Sequence, residues 1–314
     1  MNAGTYLAPR PLAPGGTIGL FAPSGVINAV RHEKSVEYLR GLGFKVVVAP
    51  EASAQYRYFA GTDTERLASF HRMLADPSID AMMMIRGGYG FTRLLPGIDW
   101  NLLASSQKTL IGFSDFTALN CAALAKCGFI TIAGPGATID FGGIDDPPDV
   151  QADHAFMENY CWPVLRGESV EAGPFPCAHN YAPASFSGTL WGSNLSLLSH
   201  LVGTPYFPAI EGGILFIEEV DEQPYAVERM FLQLFHAGVL QKQRAIVLAD
   251  FADCDPQGAS FPYAMEHVVD TLRTLLPIPV LTGLPFGHVA RKLTLPFGGA
   301  CTLTIRDGEF SLRY

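Results

Sequence analysis

The apolar run KTLIGF (108–113) stops at Ser114, and a helical pattern, DFTALNCAALAKCG, begins at once. A serine at such a corner has two uses. It caps the helix, because its hydroxyl accepts from a free N–H of the first turn. Alternatively its hydroxyl stands in the open, where a base can turn it into a nucleophile. The second use needs a base within hydrogen-bond reach and a third group to orient that base. Of the eight histidines, His32, His71, His236 and His267 fall within helical patterns, His154 and His179 in a Gly/Pro-rich stretch, and His200 in a further helix. His288 stands apart. It follows VLTGLPFG at a strand end, in the kind of loop where reactive side chains are commonly placed. For the orienting acid, the apolar strand GILFIEEV (213–220) ends in Glu218 and Glu219. Strand alternation sends these two carboxylates to opposite faces. One can face a site while the other faces solvent or pairs with a base such as Arg229.

Acyl transfer also needs donors for a developing oxyanion. RGGYG (86–90) follows another apolar strand, and Gly87 and Gly88 let a backbone N–H approach a ligand with no side chain in the way. The N–H of Asp115 lies at a helix N-terminus, where free donors and the helix dipole favour negative charge. If the two strands are neighbours, these groups converge beside Ser114, and each donor of such a hole is worth roughly 2.7–4 kcal/mol in acyl transfer. The G-x-S-x-G elbow is not matched, because Phe116 stands two residues after the serine. APSG (22–25) is a candidate anion loop, but neither G-x-G-x-x-G nor a P-loop pattern supports a nucleotide site. Histidines and the six cysteines are dispersed, with no C-x-x-C and no H-E-x-x-H, which argues against zinc.

The elements that must position these residues alternate through the first half. Strand signals at 17–23, 44–50, 79–85, 109–113 and 130–135 are separated by helical patterns at 30–43, 63–77 and after Ser114, with a short helix at 91–98. Continuous apolar strands between helices predict a doubly wound α/β domain with a parallel sheet over residues 1–145. Residues 146–184, rich in Gly, Pro and Asp, read as a linker with one short helix around ADHAFMENYCWPVL. Residues 185–314 read as a smaller α/β domain with a partly antiparallel sheet. It opens with a turn and a helix in TLWGSNLSLLSHLVGTP and closes in a hairpin about Asp307-Gly308.

Composition sets outer bounds. A chain of 314 residues with 48% hydrophobic and 16% charged residues can bury two cores. A net charge of −9 with no Lys/Arg cluster excludes an electrostatic nucleic-acid binder and disfavours anionic membrane surfaces. With no signal-peptide pattern and no apolar run long enough to span a bilayer, the cytoplasm is the expected location.

The blocks GTDTERLASFHRMLADPSIDAMMMIRGGYGFTRLLPGID, LIGFSDFTALN, GTLWGSNLSLLSHLVGTPY, GILFIEEVDEQPYAVERMFLQL and GLPFGHV, in this order, resemble the LD-carboxypeptidases, or muramoyltetrapeptide carboxypeptidases. The resemblance covers nearly the whole chain. It implies a cytoplasmic serine peptidase with a Ser-Glu-His triad: Ser114 as nucleophile, Glu218 (the first carboxylate after the apolar strand) as acid, and His288 as base. It implies Gly88 and Asp115 as oxyanion donors, with Gly87 and Asn194 as substrate-binding candidates. No metal or cofactor is implied. The implied substrate is murein tetrapeptide, whose terminal D-alanine is released during peptidoglycan recycling, and the implied assembly is a homodimer with the site between the domains. Two positions depart from the family's pattern. Ala133 replaces a common histidine before Gly-Pro, and Ser193 replaces the second glycine of a G-G-N block. Both bear on the pocket wall. Within the same fold, a related serine peptidase that cleaves a peptidyl-nucleotide antibiotic is the alternative activity, and a two-lobed binding protein the non-catalytic one.

Overall fold

Short apolar runs separated by amphipathic helices have one favourable arrangement, a parallel sheet with helices packed on both faces. The computed structural model describes residues 6–143, 148–177, 179–255 and 262–314, and its first half has that arrangement. In chain order come β1 (Thr17–Phe21), α1 (Ala29–Gly41), β2 (Lys45–Val48), α2 (Asp63–Ala75), β3 (Ala81–Met84), α3 (Trp100–Ser106), β4 (Thr109–Gly112), α4 (Thr117–Cys127), β5 (Thr131–Ala133) and α5 (Ala137–Asp140). β1, β3, β4 and β5 are buried at every position, whereas β2 alternates between exposed and half-buried as an edge strand does. All four pairings among these strands are parallel. The expected short helix at 91–98 is instead two single 3₁₀ turns, the second holding Pro96, which cannot donate within a longer helix.

The second half continues with α6 (Pro148–Leu165), β6 (Glu171–Pro176), β7 (Ala184–Asn194), α7 (Leu195–Leu201), β8 (Ile214–Val220), α8 (Pro224–His236), β9 (Ala245–Ala252), α9 (Met265–Leu275), β10 (Val280–Thr282), β11 (Leu295–Phe297), β12 (Ala300–Arg306) and β13 (Glu309–Arg313). Seven of these strands form one sheet in the order β10-β9-β8-β7-β12-β13-β6. Its β10-to-β7 half is parallel and its remainder antiparallel. The terminal hairpin turns at Asp307-Gly308 as expected, with φ of 53° and 78°.

Three features differ from the sequence reading. The segment read as a linker holds an 18-residue helix, α6, and its β6 pairs with β13 inside the second sheet. The stretch read as a turn at 189–194 belongs to an 11-residue strand, β7, in the middle of that sheet. Its glycines are the reason both for the misreading and for the strand. A Cβ on Gly192 (φ +140°) would lie 1.7 Å from the Phe216 carbonyl of the neighbouring strand, so only glycine lets the backbones pair there. Finally, β11 leaves the C-terminal half and joins the first sheet, antiparallel to β5, to give the order β11-β5-β4-β3-β1-β2.

Candidate active site

In sheets of this type a site forms beyond the carboxyl ends of the parallel strands. β3 and β4 are adjacent, so the loops that follow them face each other. β4 ends at Gly112, and the chain turns through a 3₁₀ turn at Ser114–Phe116 before α4 starts. Ser114 itself has φ +60°, a left-handed conformation that costs a residue with a side chain about 1–3 kcal/mol. The hydroxyl this corner presents is directed to His288, with Oγ 3.1 Å from Nε2. On the other side of the ring, Nδ1 lies 2.9 Å from Glu218 Oε2. Glu218 is fully buried near the end of β8, Ser114 is 9% exposed, and the His288 side chain is 22% exposed. The three residues, distant in sequence and carried by different sheets, thus form one hydrogen-bonded chain.

Gly87 lies against the serine end of this chain. A Cβ on Gly87 would sit 3.2 Å from Ser114 Oγ and 3.7 Å from the Asp115 nitrogen. The space glycine leaves is therefore bounded by the hydroxyl and by an N–H at the start of a helix. Gly88 has φ +104°, and the Tyr58 hydroxyl occupies the place of its missing Cβ. Gly287, just before His288, has φ +133°, and a Cβ there would press on Glu218 and Asp250 at 3.2 and 3.3 Å. A half-buried carboxyl thus stands beside the histidine loop. Burial, followed by the charge of Glu218, pushes Asp250 above the usual carboxylate range. A cavity of about 560 Å³, lined in part by Asp250, Val289, Arg291, Phe156 and Leu284, opens next to the same loop.

The side chain of Asp115 has a separate task. It is buried, and Oδ2 accepts from Ser24 Oγ at 2.6 Å and from Phe91 N–H at 2.8 Å. The loop after β1 and the RGGYG loop are both tied to the residue that follows Ser114. The candidate anion loop APSG therefore directs its serine inward to Asp115. Burial pushes the Asp115 carboxyl up, against the opposing effect of Ser24, Phe91 and Arg66.

Glu219 does not reach solvent or Arg229 as the sequence reading allowed. It is buried, accepting from Asn194 Nδ2 at 3.0 Å, Ser196 N–H at 2.7 Å and Val220 N–H at 3.0 Å. Burial, the largest influence, raises its carboxyl above the ordinary range. Asn194 Oδ1 accepts from Leu197 N–H and so caps α7. Both ends of this amide are engaged inside the protein, and a substrate would have to compete for them.

The chemistry such a chain supports is nucleophilic attack by an activated serine. Residues 18–134 match the LD-carboxypeptidase N-terminal domain, and residues 187–303 match the LD-carboxypeptidase C-terminal domain. The chain belongs to the LD-carboxypeptidase family. It is a serine-type carboxypeptidase. The crystal structure of muramoyltetrapeptide carboxypeptidase from Oxalobacter formigenes superposes with a TM-score of 0.86 at 35% identity, covering 95% of this chain and 98% of that one. The murein tetrapeptide carboxypeptidase of Pseudomonas aeruginosa is 32% identical over 92% of this chain and 93% of its own. The microcin C7 self-immunity protein MccF of Escherichia coli is also 32% identical, over 98% of this chain and 95% of its own, so the family is not uniform in activity. Among the described residues of this LD-carboxypeptidase, no helix is long and apolar enough to cross a membrane.

Proposed function

We propose that this carboxypeptidase releases the terminal D-alanine of murein tetrapeptide, in the cytoplasm and as a step of peptidoglycan recycling, through an acyl-enzyme on Ser114. The observation that carries this reading is the hydrogen-bonded chain Ser114–His288–Glu218, with 3.1 and 2.9 Å links, opening onto the space left by Gly87. Ser114 Oγ attacks the scissile carbonyl carbon while His288 Nε2 takes its proton. Glu218 holds the ring in the tautomer that leaves Nε2 free to accept, and stabilises the imidazolium that forms. The N–H groups of Gly88 and Asp115 receive the oxyanion. The tetrahedral intermediate then expels the D-alanine amine, which takes the proton from His288. Water, deprotonated by the same histidine, cleaves the ester and returns the proton to Ser114. Gly87 lines the approach, Asn194 supports it from behind by holding Glu219 and the start of α7, and two copies of the chain form the working unit.

The test is release of free D-alanine from purified murein tetrapeptide by wild type and by Ser114→Ala. Release by wild type alone is expected. Equal release by both would remove Ser114 and the acyl-enzyme. A second reading, cleavage of a peptidyl-nucleotide, is favoured by the identity with the self-immunity protein. Release of nucleotide from such a conjugate, with none of D-alanine from tetrapeptide, would select it.

A further inference from the structure

The loop between β10 and β11 carries His288 and, four residues on, Lys292. A lysine ordinarily keeps its ammonium in water and buries only its stem. The Lys292 side chain has no exposure at all. Its Nζ lies 2.8 Å from Asp140 Oδ1 and 3.5 Å from the centroid of the Phe113 ring. Asp140 is 3% exposed, and its other oxygen accepts from Gly136 N–H at 2.8 Å. A complete ion pair has been taken out of water. Such a pair is weak evidence for stability, since two apolar residues of similar volume often serve a fold as well or better.

What the pair does is join parts of the site that come from different places in the chain. Phe113 immediately precedes Ser114, and its ring also meets the His288 imidazole edge-on at 5.1 Å. Asp140 closes α5. Thr138 of that helix donates both its N–H and its hydroxyl to the Ile85 carbonyl, at the root of the RGGYG loop. Lys292 therefore reaches the base through the β10–β11 loop, the nucleophile through Phe113, and the loop of Gly87 and Gly88 through Asp140 and α5.

We propose that Lys292 and Asp140 are positioning residues, an interdomain strut that keeps His288 Nε2 in hydrogen-bond register with Ser114 Oγ. The inference rests on the reading of these two residues as base and nucleophile. Neither Lys292 nor Asp140 touches the reacting atoms, so the strut acts on turnover and leaves substrate binding alone. A displacement of about 1 Å at a reacting centre is enough to slow a reaction about 10²-fold.

The experiment compares wild type, Lys292→Met, Asp140→Asn, the double variant, Lys292→Arg and Ser114→Ala, each by melting temperature and by kcat and KM for D-alanine release. Each neutralising single variant leaves a buried charge without its partner, so both are expected to melt lower. The double variant removes both charges and is expected to melt close to wild type. Its kcat is nevertheless expected about 10²-fold down with KM nearly unchanged, and Lys292→Arg to fall between. A kcat that recovers together with the melting temperature in the double variant would overturn the strut, as would full kcat in either single variant or a loss confined to KM. Should the double variant not fold, Lys292→Arg carries the decision: reduced kcat at unchanged KM supports the strut, and wild-type kcat overturns it. Ser114→Ala as active as wild type would remove the reading of the site and the strut with it. Inactive Ser114→Ala beside fully active strut variants would remove the strut alone.

Discussion

Ser114 is held at φ +60°, and Gly87 stands where any side chain would touch its hydroxyl. The two facts make the corner intelligible, since the strained turn aims Oγ at His288 and glycine leaves the space beside it unfilled. Gly87→Ala would put a methyl 3.2 Å from Oγ with no left-handed backbone to strain. Its kcat/KM is expected to fall about 10²-fold at a nearly unchanged melting temperature, because access rather than folding is lost. A variant with unchanged kcat/KM would mean that substrate does not use that space. Ser193 is the opposite case. It has φ +86°, is fully buried, and its Oγ has no hydrogen-bond partner among the described residues. Ser193→Gly relieves both burdens and is expected to raise stability by about 0.5–1 kcal/mol in urea titration, the entropy of glycine offsetting part of the gain. Ser114 and His288, which meet at 3.1 Å, are legible as candidates because a serine at a strand-to-helix corner and a histidine in a loop are positional signals. Asp250 carries the same signal as Glu218, a carboxylate near the end of an apolar strand, so sequence alone does not separate the two. Lys292, next to Arg291 at the head of the apolar run LTLPF, carries no such signal, because a surface lysine has the same local sequence.

α2 begins with a reciprocal cap: Glu65 N–H donates to Thr62 Oγ1 at 3.3 Å, and Thr62 N–H donates to Glu65 Oε2 at 2.8 Å. Thr62→Ala is expected to cost about 1 kcal/mol, read as a lower denaturation midpoint at unchanged activity. The start of α7 is built differently, on Asn194 and the buried Glu219. A carboxyl whose pKa is raised in the folded state binds a proton more tightly there than in the unfolded chain. Its contribution to stability is complete below the unfolded value of about 4.3 and is lost as pH rises through the higher folded value. The stability of wild type relative to Glu219→Gln is therefore expected to decline as pH climbs above the ordinary carboxylate range, measured by chemical denaturation across that range. A constant difference would show that Glu219 does not titrate with folding. Elements with a clear period or a terminal signal, such as α2, α8 and the hairpin at Asp307-Gly308, were readable because each follows from its own residues. β7 was not, because its glycines answer to carbonyls elsewhere in the chain, Gly192 to that of Phe216 and Gly188 to that of Gly212.

The two halves of the molecule are tied by more than a hinge. β11 pairs with β5 through buried Leu295 and Phe297, so the first sheet is completed by the end of the chain. Residues 1–143 alone would leave β5 as an open edge, and open edges pair with other chains. That fragment is expected to aggregate or stay partly unfolded, whereas the full chain unfolds in a single calorimetric transition. Two well-separated transitions, or a monomeric folded fragment, would show that β11 is dispensable. The same crossing is what allows His288, from the second half, to stand over Ser114. Composition, apolar periodicity and turn residues were enough to establish an acidic two-domain α/β chain with a serine at a strand-to-helix corner and a candidate base and acid far along it, because each of those properties is local. The 3.1 and 2.9 Å contacts, the inward turn of Glu219 and the burial of Lys292 against Asp140 depend on which strands become neighbours. Strand order is set by the packing of whole faces and by loops that close over more than a hundred residues, and no short stretch of sequence encodes it.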